Sequence, residues 1–181
     1  SVQSEEGHGS IFTFTADFTI AAPLSEPADR TASGQPPSGP LPSLRILLVE
    51  DNAVNQIYAT EILQQEGHHV TPVTNGRTAL SLLADKDFDL VLMDIQMPDM
   101  DGMEVTRQVR DGRAKARNAE IPIIAMTAHA MQGDRERFLE AGMDDYVSKP
   151  MDIQEVVAAM NRALKRSDAH RASSPTLAKP S

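Results

Sequence analysis

Residues 90–94 read LVLMD. Four large apolar side chains stand in succession, and an aspartate follows at once. A strand with one wet face alternates apolar and polar residues. A run without alternation suits a strand covered on both sides, as in a parallel sheet between two layers of helices. Working outward, residues 45–49 (RILLV) and 121–126 (IPIIAM) repeat the signal. Between the runs lie helical patterns. Val54, Ile57, Tyr58, Ile62 and Leu63 carry the helical spacing, with Asn52 as N-cap and Gly67 just past the end. A strand is predicted over 69–73 and helices over about 76–84, 103–110 and 134–141, the last stopped by Gly142. A short strand over 145–147 and a helix over 153–165 complete five β-α units. The fold class is α/β, a five-stranded parallel sheet with helices on both faces.

Composition sets the limits around this core. The chain has 181 residues, 40% hydrophobic and 24% charged, which fits one globular domain with appendages. No run approaches the length of a membrane span, and no signal sequence opens the chain. The absence of cysteine excludes a disulfide scaffold, a thiolate zinc site and a cysteine nucleophile. The net charge of −9 argues against a nucleic-acid or anionic-lipid footprint. Residues 23–43 hold six of the twelve prolines and almost nothing large and apolar, so they are expected to be a disordered linker. Residues 167–181 have the same character and are expected to form a loose tail, leaving 44–166 as the folded domain. The chain opens at Ser1 without an initiator methionine and is read as part of something longer.

In a sheet of this kind ligands sit at the carboxyl ends of the strands. Glu50 and Asp51 follow the first strand, Asp94 the third, Thr127 and Ala128 the fourth, and Ser148, Lys149 and Pro150 the fifth. Three carboxylates would converge there. Two unit charges ~5 Å apart repel by roughly 3 kcal/mol at an effective dielectric of ~20. Lys149 can offset part of that, and a hard divalent cation such as Mg²⁺ the rest. The plainer reading is that strand-end acids are solvated helix caps.

Four strings carry a resemblance: LLVEDN (47–52), VLMDIQMPDMDG (91–102), IIAMTAHA (123–130) and DDYVSKP (144–150). In this order and spacing they resemble a receiver domain of two-component signalling. The resemblance implies the flavodoxin-like receiver fold with strand order 2-1-3-4-5. It implies that Asp94 is the phosphoacceptor, taking a phosphoryl group from a phosphohistidine. It implies Mg²⁺ (Mn²⁺ would also fit) held by Glu50 and Asp51, with the Asp51 and Asp94 carboxylates and the Gln96 carbonyl as direct ligands. Lys149, Thr127 and Ala128 would bind the phosphoryl group, with Thr127 and Tyr146 as the switch pair. Gln96 and His129 would tune phosphoryl lifetime. Pro150 would follow a cis peptide bond that aims Lys149 into the site. The implied partner is the dimerisation and phosphotransfer domain of a histidine kinase or a histidine phosphotransfer protein. The implied location is cytoplasmic, with no contact to nucleic acid or membrane by this chain. Its chemistry as an enzyme would be limited to gaining and losing its own phosphoryl group.

GHGSIFTFT (7–15) resembles the closing segment of a histidine-kinase ATP-binding domain. Phe12, Phe14, Ala16, Phe18 and Ile20 alternate with polar residues, a half-buried strand without a sheet of its own. Residues 1–22 are therefore read as a remnant of that domain, or else as an extra edge strand of the sheet. The parent would be a hybrid sensor histidine kinase, and the chain itself is expected not to bind ATP. The few residues after the last helix are expected to leave no room for a DNA-binding domain, unless an output domain was cut away.

Two other functions use the same residues: a Mg²⁺-dependent phosphohydrolase and an unphosphorylated docking module. Gln96, two residues past Asp94, is not the second acid that a paired-aspartate phosphatase needs. Asp85, Asp87 and Asp89 do not complete a calcium loop, since Leu90 stands where glycine is required. His68 and His69 are adjacent and make a poor metal pair. Arg107, Arg110, Arg113, Lys115 and Arg117 read as a solvated basic loop.

Overall fold

The computed structural model describes residues 2–5, 9–12, 41–113, 119–128 and 134–173. The chain divides into two units, Ser1–Gly34 and Gln35–Ser181. In the first, β1 (Val2–Glu5) pairs antiparallel with β2 (Gly9–Phe12), with Val2 opposite Phe12 and Glu5 opposite Gly9. Of the strand predicted over Phe12 to Ile20, only Phe12 is described, and it closes this two-stranded sheet. Residues 13–22, which carry the rest of the Phe-rich pattern, lie outside the described residues, as do 23–40 of the expected linker.

The second unit holds β3 (Arg45–Val49), α1 (Ala53–Gln65), β4 (His69–Val73), α2 (Gly76–Asp85), β5 (Leu90–Asp94), α3 (Gly102–Gln108), β6 (Ile123–Thr127), α4 (Asp134–Glu140), β7 (Asp145–Ser148) and α5 (Ile153–Ser173). The five strands β3–β7 are parallel and lie in the order β4-β3-β5-β6-β7. Numbered among themselves, they run 2-1-3-4-5, as the resemblance implies.

The unbroken apolar runs are explained by the two faces they serve. Leu47, Val49, Val91, Met93, Ile123 and Ala125 pack on one side with residues of α2, α3 and α4. Ile46, Leu48, Leu90, Leu92, Ile124, Met126 and Val147 pack on the other with α1 and α5. Successive strand residues alternate sides, and both sides are dry.

Capping follows the sequence closely. The Asn52 side chain accepts hydrogen bonds from the backbone N–H groups of Val54 (3.0 Å) and Asn55 (3.1 Å). Asn75 and Asp101 cap α2 and α3 through the N–H groups of Thr78 and Glu104. Gly67 takes the positive φ of 88° that a helix stop favours.

Two expectations are corrected. The last helix does not end near Lys165 but runs to Ser173, into the expected tail. No glycine or proline interrupts residues 152–174, so nothing stops the helix before Pro175. Arg162 and Arg166 tie it back to β7: Arg162 Nε lies 2.6 Å from Asp145 Oδ2, and Arg166 Nη1 donates to the Asp144 carbonyl at 2.6 Å. Residues 174–181 lie outside the described residues. The apolar pattern that signals α1 is also only in part its buried face. Ala59 and Leu63 are buried, whereas Val54, Ile57 and Tyr58 are 75%, 67% and 52% exposed.

Arg110 departs from its reading as well. It is part of a clasp and not of a solvated loop. Its guanidinium donates to the carbonyls of Ala119 and Ile121 (both 2.9 Å) and Gly142 (2.9 Å), and pairs with Asp144 at 3.0 Å. Burial pushes the arginine below its ordinary pKa and the Asp144 carboxyl above its own. Lys115 and Arg117 lie outside the described residues.

Candidate functional site

Each strand that borders the topological crossover delivers its polar residue at the same edge of the sheet. β3 ends on Val49, so Glu50 and Asp51 stand just beyond it, and the Glu50 N–H is tied to the Val73 carbonyl (3.0 Å). β5 ends on Asp94, in register with Met126 of β6, so Thr127 lies one residue further along the neighbouring strand. Thr127 pairs in register with Ser148, and the Lys149 N–H donates to its carbonyl at 2.7 Å. The Lys149–Pro150 bond is cis.

Glu50, Asp51 and Asp94 each offer a carboxylate oxygen within 4.8 Å of the others. Glu50 and Asp94 are buried, 2% and 3% exposed, and Asp51 is exposed. Lys149 Nζ lies between the buried pair, 2.7 Å from Glu50 Oε2 and 2.8 Å from Asp94 Oδ2. The Gln96 backbone N–H donates to Asp94 Oδ1 at 3.0 Å. Burial pushes the Asp94 carboxyl above the usual aspartate range, while Lys149 and the Gln96 N–H act in the opposite direction. Burial alone would lower Lys149, but its bonds to Asp94 and Glu50 outweigh that and leave it raised.

The donor set fits a hard divalent cation. Asp51 and Asp94 are oxygen ligands of the kind such an ion takes, and an exposed Asp51 leaves room for the waters that Mg²⁺ retains. Each Asp94 oxygen is engaged by one donor, and a carboxylate oxygen has two acceptor directions. Glu50 is more fully engaged: Oε2 faces Lys149, and Oε1 accepts from the Asn52 N–H (3.3 Å) and the Asn55 amide (3.1 Å).

The other sequence-named residues are arranged around this centre. Thr127 is buried and Ala128, next to it, is exposed. Gln96 is exposed in the loop after β5. Tyr146 is half-buried in β7 and tilts against Phe138 of α4, with ring centroids 6.2 Å apart. A cleft of about 310 Å³ opens beside Thr127, lined by Gln96, Asp134, Arg137 and Phe138. His129 lies outside the described residues.

Sequence reasoning passed over two contributors. Gly102 brings α3 against the end of β5: a Cβ there would run into the Asp94 carbonyl oxygen and meet Met93 Cγ at 2.8 Å. Its place at the end of the DMDG turn was the available signal. Asn55 was passed over because a polar residue in a helix's first turn has an ordinary explanation.

A sequence profile described as the response regulator receiver domain matches residues 46–161. The chain is 37% identical over 163 residues to the aerobic respiration control sensor protein ArcB of Escherichia coli K12, covering 90% of this chain and 20% of that protein. It is 39% identical over 129 residues to the sensor protein GacS of Pseudomonas syringae pv. syringae, covering 71% and 14%. It thus spans a fifth or less of the length of these relatives. Among solved structures, the receiver domain of the sensor histidine kinase PA1611 from Pseudomonas aeruginosa, with a magnesium ion coordinated in its active site cleft, is 40% identical. The TM-score is 0.61, with 68% of this chain and 99% of that one covered. A co-crystal structure of the Saccharomyces cerevisiae histidine phosphotransfer protein Ypd1 with the receiver domain of Ssk1 matches at 27% identity and a TM-score of 0.61, covering 70% and 92%. With the strand order, the strand-end acids and these likenesses together, the chain belongs to the family of response regulator receiver domains, the receiver modules of two-component phosphorelay signalling.

Proposed function

We propose that Asp94 accepts a phosphoryl group from a phosphohistidine of a partner protein. The observation that carries this reading is the Lys149 ammonium, held between Asp94 and Glu50 inside a cluster of three acids. An Asp94 carboxylate oxygen forms the new O–P bond as the P–N bond to the imidazole breaks. The imidazole leaves with the electron pair. The transition state is loose, with charge on the equatorial oxygens, so the site must position the group and supply positive charge. Mg²⁺, when bound, supplies part of that charge. Asp51, Asp94 and the Gln96 carbonyl would hold it, with Glu50 alongside, and Mn²⁺ has the same preference for oxygen ligands. Lys149 meets one phosphoryl oxygen, and the Thr127 hydroxyl and the Ala128 N–H meet others. Drawing Thr127 to the phosphoryl group opens space for Tyr146, which couples the site to α4, β7 and α5. Gln96 and His129 would govern the approach of water.

The parent is read as a cytoplasm-facing hybrid sensor histidine kinase, with residues 1–22 as the end of its ATP-binding domain and 23–43 as the linker. The extent of the match to ArcB, which reaches beyond the receiver region, supports this. The partner is the phosphotransfer domain of a kinase or a histidine phosphotransfer protein. The exposed apolar strip Val54, Ile57 and Tyr58, beside the site, suits docking of such a partner. Incubation with a phosphorylated histidine-kinase core, followed by mapping of the label, tests the reading. Label is expected on Asp94 and is lost in Asp94→Asn. Label retained in that variant, or steady turnover of a small phosphoester, overturns it.

A further inference from the structure

Glu50 is the most buried acid of the site, and it is held by α1 more than by its own strand. Its carbonyl accepts from the Gln56 amide at 3.1 Å. Its Oε1 accepts from the Asn55 amide at 3.1 Å and from the Asn52 N–H at 3.3 Å, while Oε2 meets Lys149 at 2.7 Å. Asn55 is itself placed by the cap, since its backbone N–H donates to Asn52 Oδ1. A pocket of only about 40 Å³ separates Asn55 and Tyr58 from Lys149, Pro150 and Met151. The first turn of α1 is thus closed against the segment that carries the lysine.

We propose, on the reading of the site given above, that Asn55 is a positioning residue for Lys149 acting through Glu50. The torsion that turns a glutamate carboxylate is broad and does not hold itself. The Asn55 amide pins Oε1, so Oε2 faces the ammonium and Lys149 is shared between Glu50 and Asp94. Without that amide, Oε1 keeps one longer backbone bond and Glu50 turns away. Lys149 then rests wholly on Asp94, where it competes with the cation for the acceptor's oxygens.

The test is Mg²⁺ titration of the full chain, read by a metal-induced spectroscopic shift, for wild type, Asn55→Leu, Glu50→Ala and the double variant. Glu50→Met replaces the alanine variant if that one does not fold. Asn55→Leu is expected to weaken Mg²⁺ binding about fivefold, a fraction of what a hydrogen bond to a charged group is worth. In the Glu50→Ala background the same change is expected to add nothing, because the group it acts through is gone. An unchanged Mg²⁺ affinity in Asn55→Leu overturns the assignment, as does an equal loss in both backgrounds, which would mark a role in the helix alone. Wild type that takes up no Mg²⁺ overturns the reading of the site itself, a result distinct from either.

Discussion

Replacing Lys149 by methionine keeps the stem of the side chain and removes the one ammonium between two buried carboxylates. Glu50 and Asp94 then face each other with oxygens within 4.8 Å and no protein cation between them. At an effective dielectric of ~20, two unit charges at that spacing repel by about 3.5 kcal/mol. Stripping one partner from a buried ion pair costs about 3–5 kcal/mol by a separate route, so the two figures agree. The metal-free variant is expected to lose about 3 kcal/mol near pH 8, or about 10 °C in Tm for a folded unit of this size.

The pH dependence of the loss has a definite sign. Burial already raises the Asp94 carboxyl, and Lys149 opposes that rise, so removing Lys149 raises it further. A carboxyl raised by folding is harmless below its unfolded pKa and costs stability as pH rises through its folded value. The deficit should therefore be smaller at about pH 5 than near pH 8, because lower pH favours the protonated form of a carboxyl that folding has raised. Lys149 itself is raised, so its charge persists across this whole window and its own titration does not contribute. Added Mg²⁺ should restore more stability to the variant than to wild type, since it replaces the missing charge. Urea unfolding at the two pH values, with and without millimolar Mg²⁺, measures all of this. A loss under about 1 kcal/mol near pH 8, or an equal loss at both pH values, would refute the reasoning.

Two further changes probe what supports the site. Gly102→Ala drives a methyl group into the Asp94 carbonyl and should cost about 3 kcal/mol and weaken Mg²⁺ binding; unfolding and titration indistinguishable from wild type would contradict the close approach. Arg110→Met takes the guanidinium from three carbonyls and leaves Asp144 with the Ile123 N–H but no counter-ion here, and should cost about 3–5 kcal/mol, yet leave Mg²⁺ affinity unchanged, because the clasp joins segments before β6 and β7, at the opposite end of these strands. Altered Mg²⁺ affinity in a folded Arg110→Met protein would show that the two ends of the sheet are coupled.

Legibility differed by element. Strands β3, β5 and β6 were plain because all-apolar runs have few other homes, and the cap at Asn52 is local chemistry. The end of α5 was missed because a polar composition that suits a loose tail is also compatible with helix, and no glycine or proline stands before Pro175 to stop it. The pattern over α1 identified a helix but did not separate its buried members from its exposed ones: Leu63 is buried, whereas Val54, Ile57 and Tyr58 satisfy the spacing and still face out.

By itself the sequence determined the five β-α units and which acids, hydroxyl and lysine end the strands, because period and local capping act over a few residues. Only the tertiary structure decided that Glu50 is the counter-ion of Lys149, that Asn55 holds it there, and that Arg110 is a clasp. The Lys149 and Arg110 contacts join segments far apart in the chain within about 3 Å, and the Asn55 bond, though local, matters only because Lys149 meets the other oxygen of the same carboxylate; no local pattern encodes either.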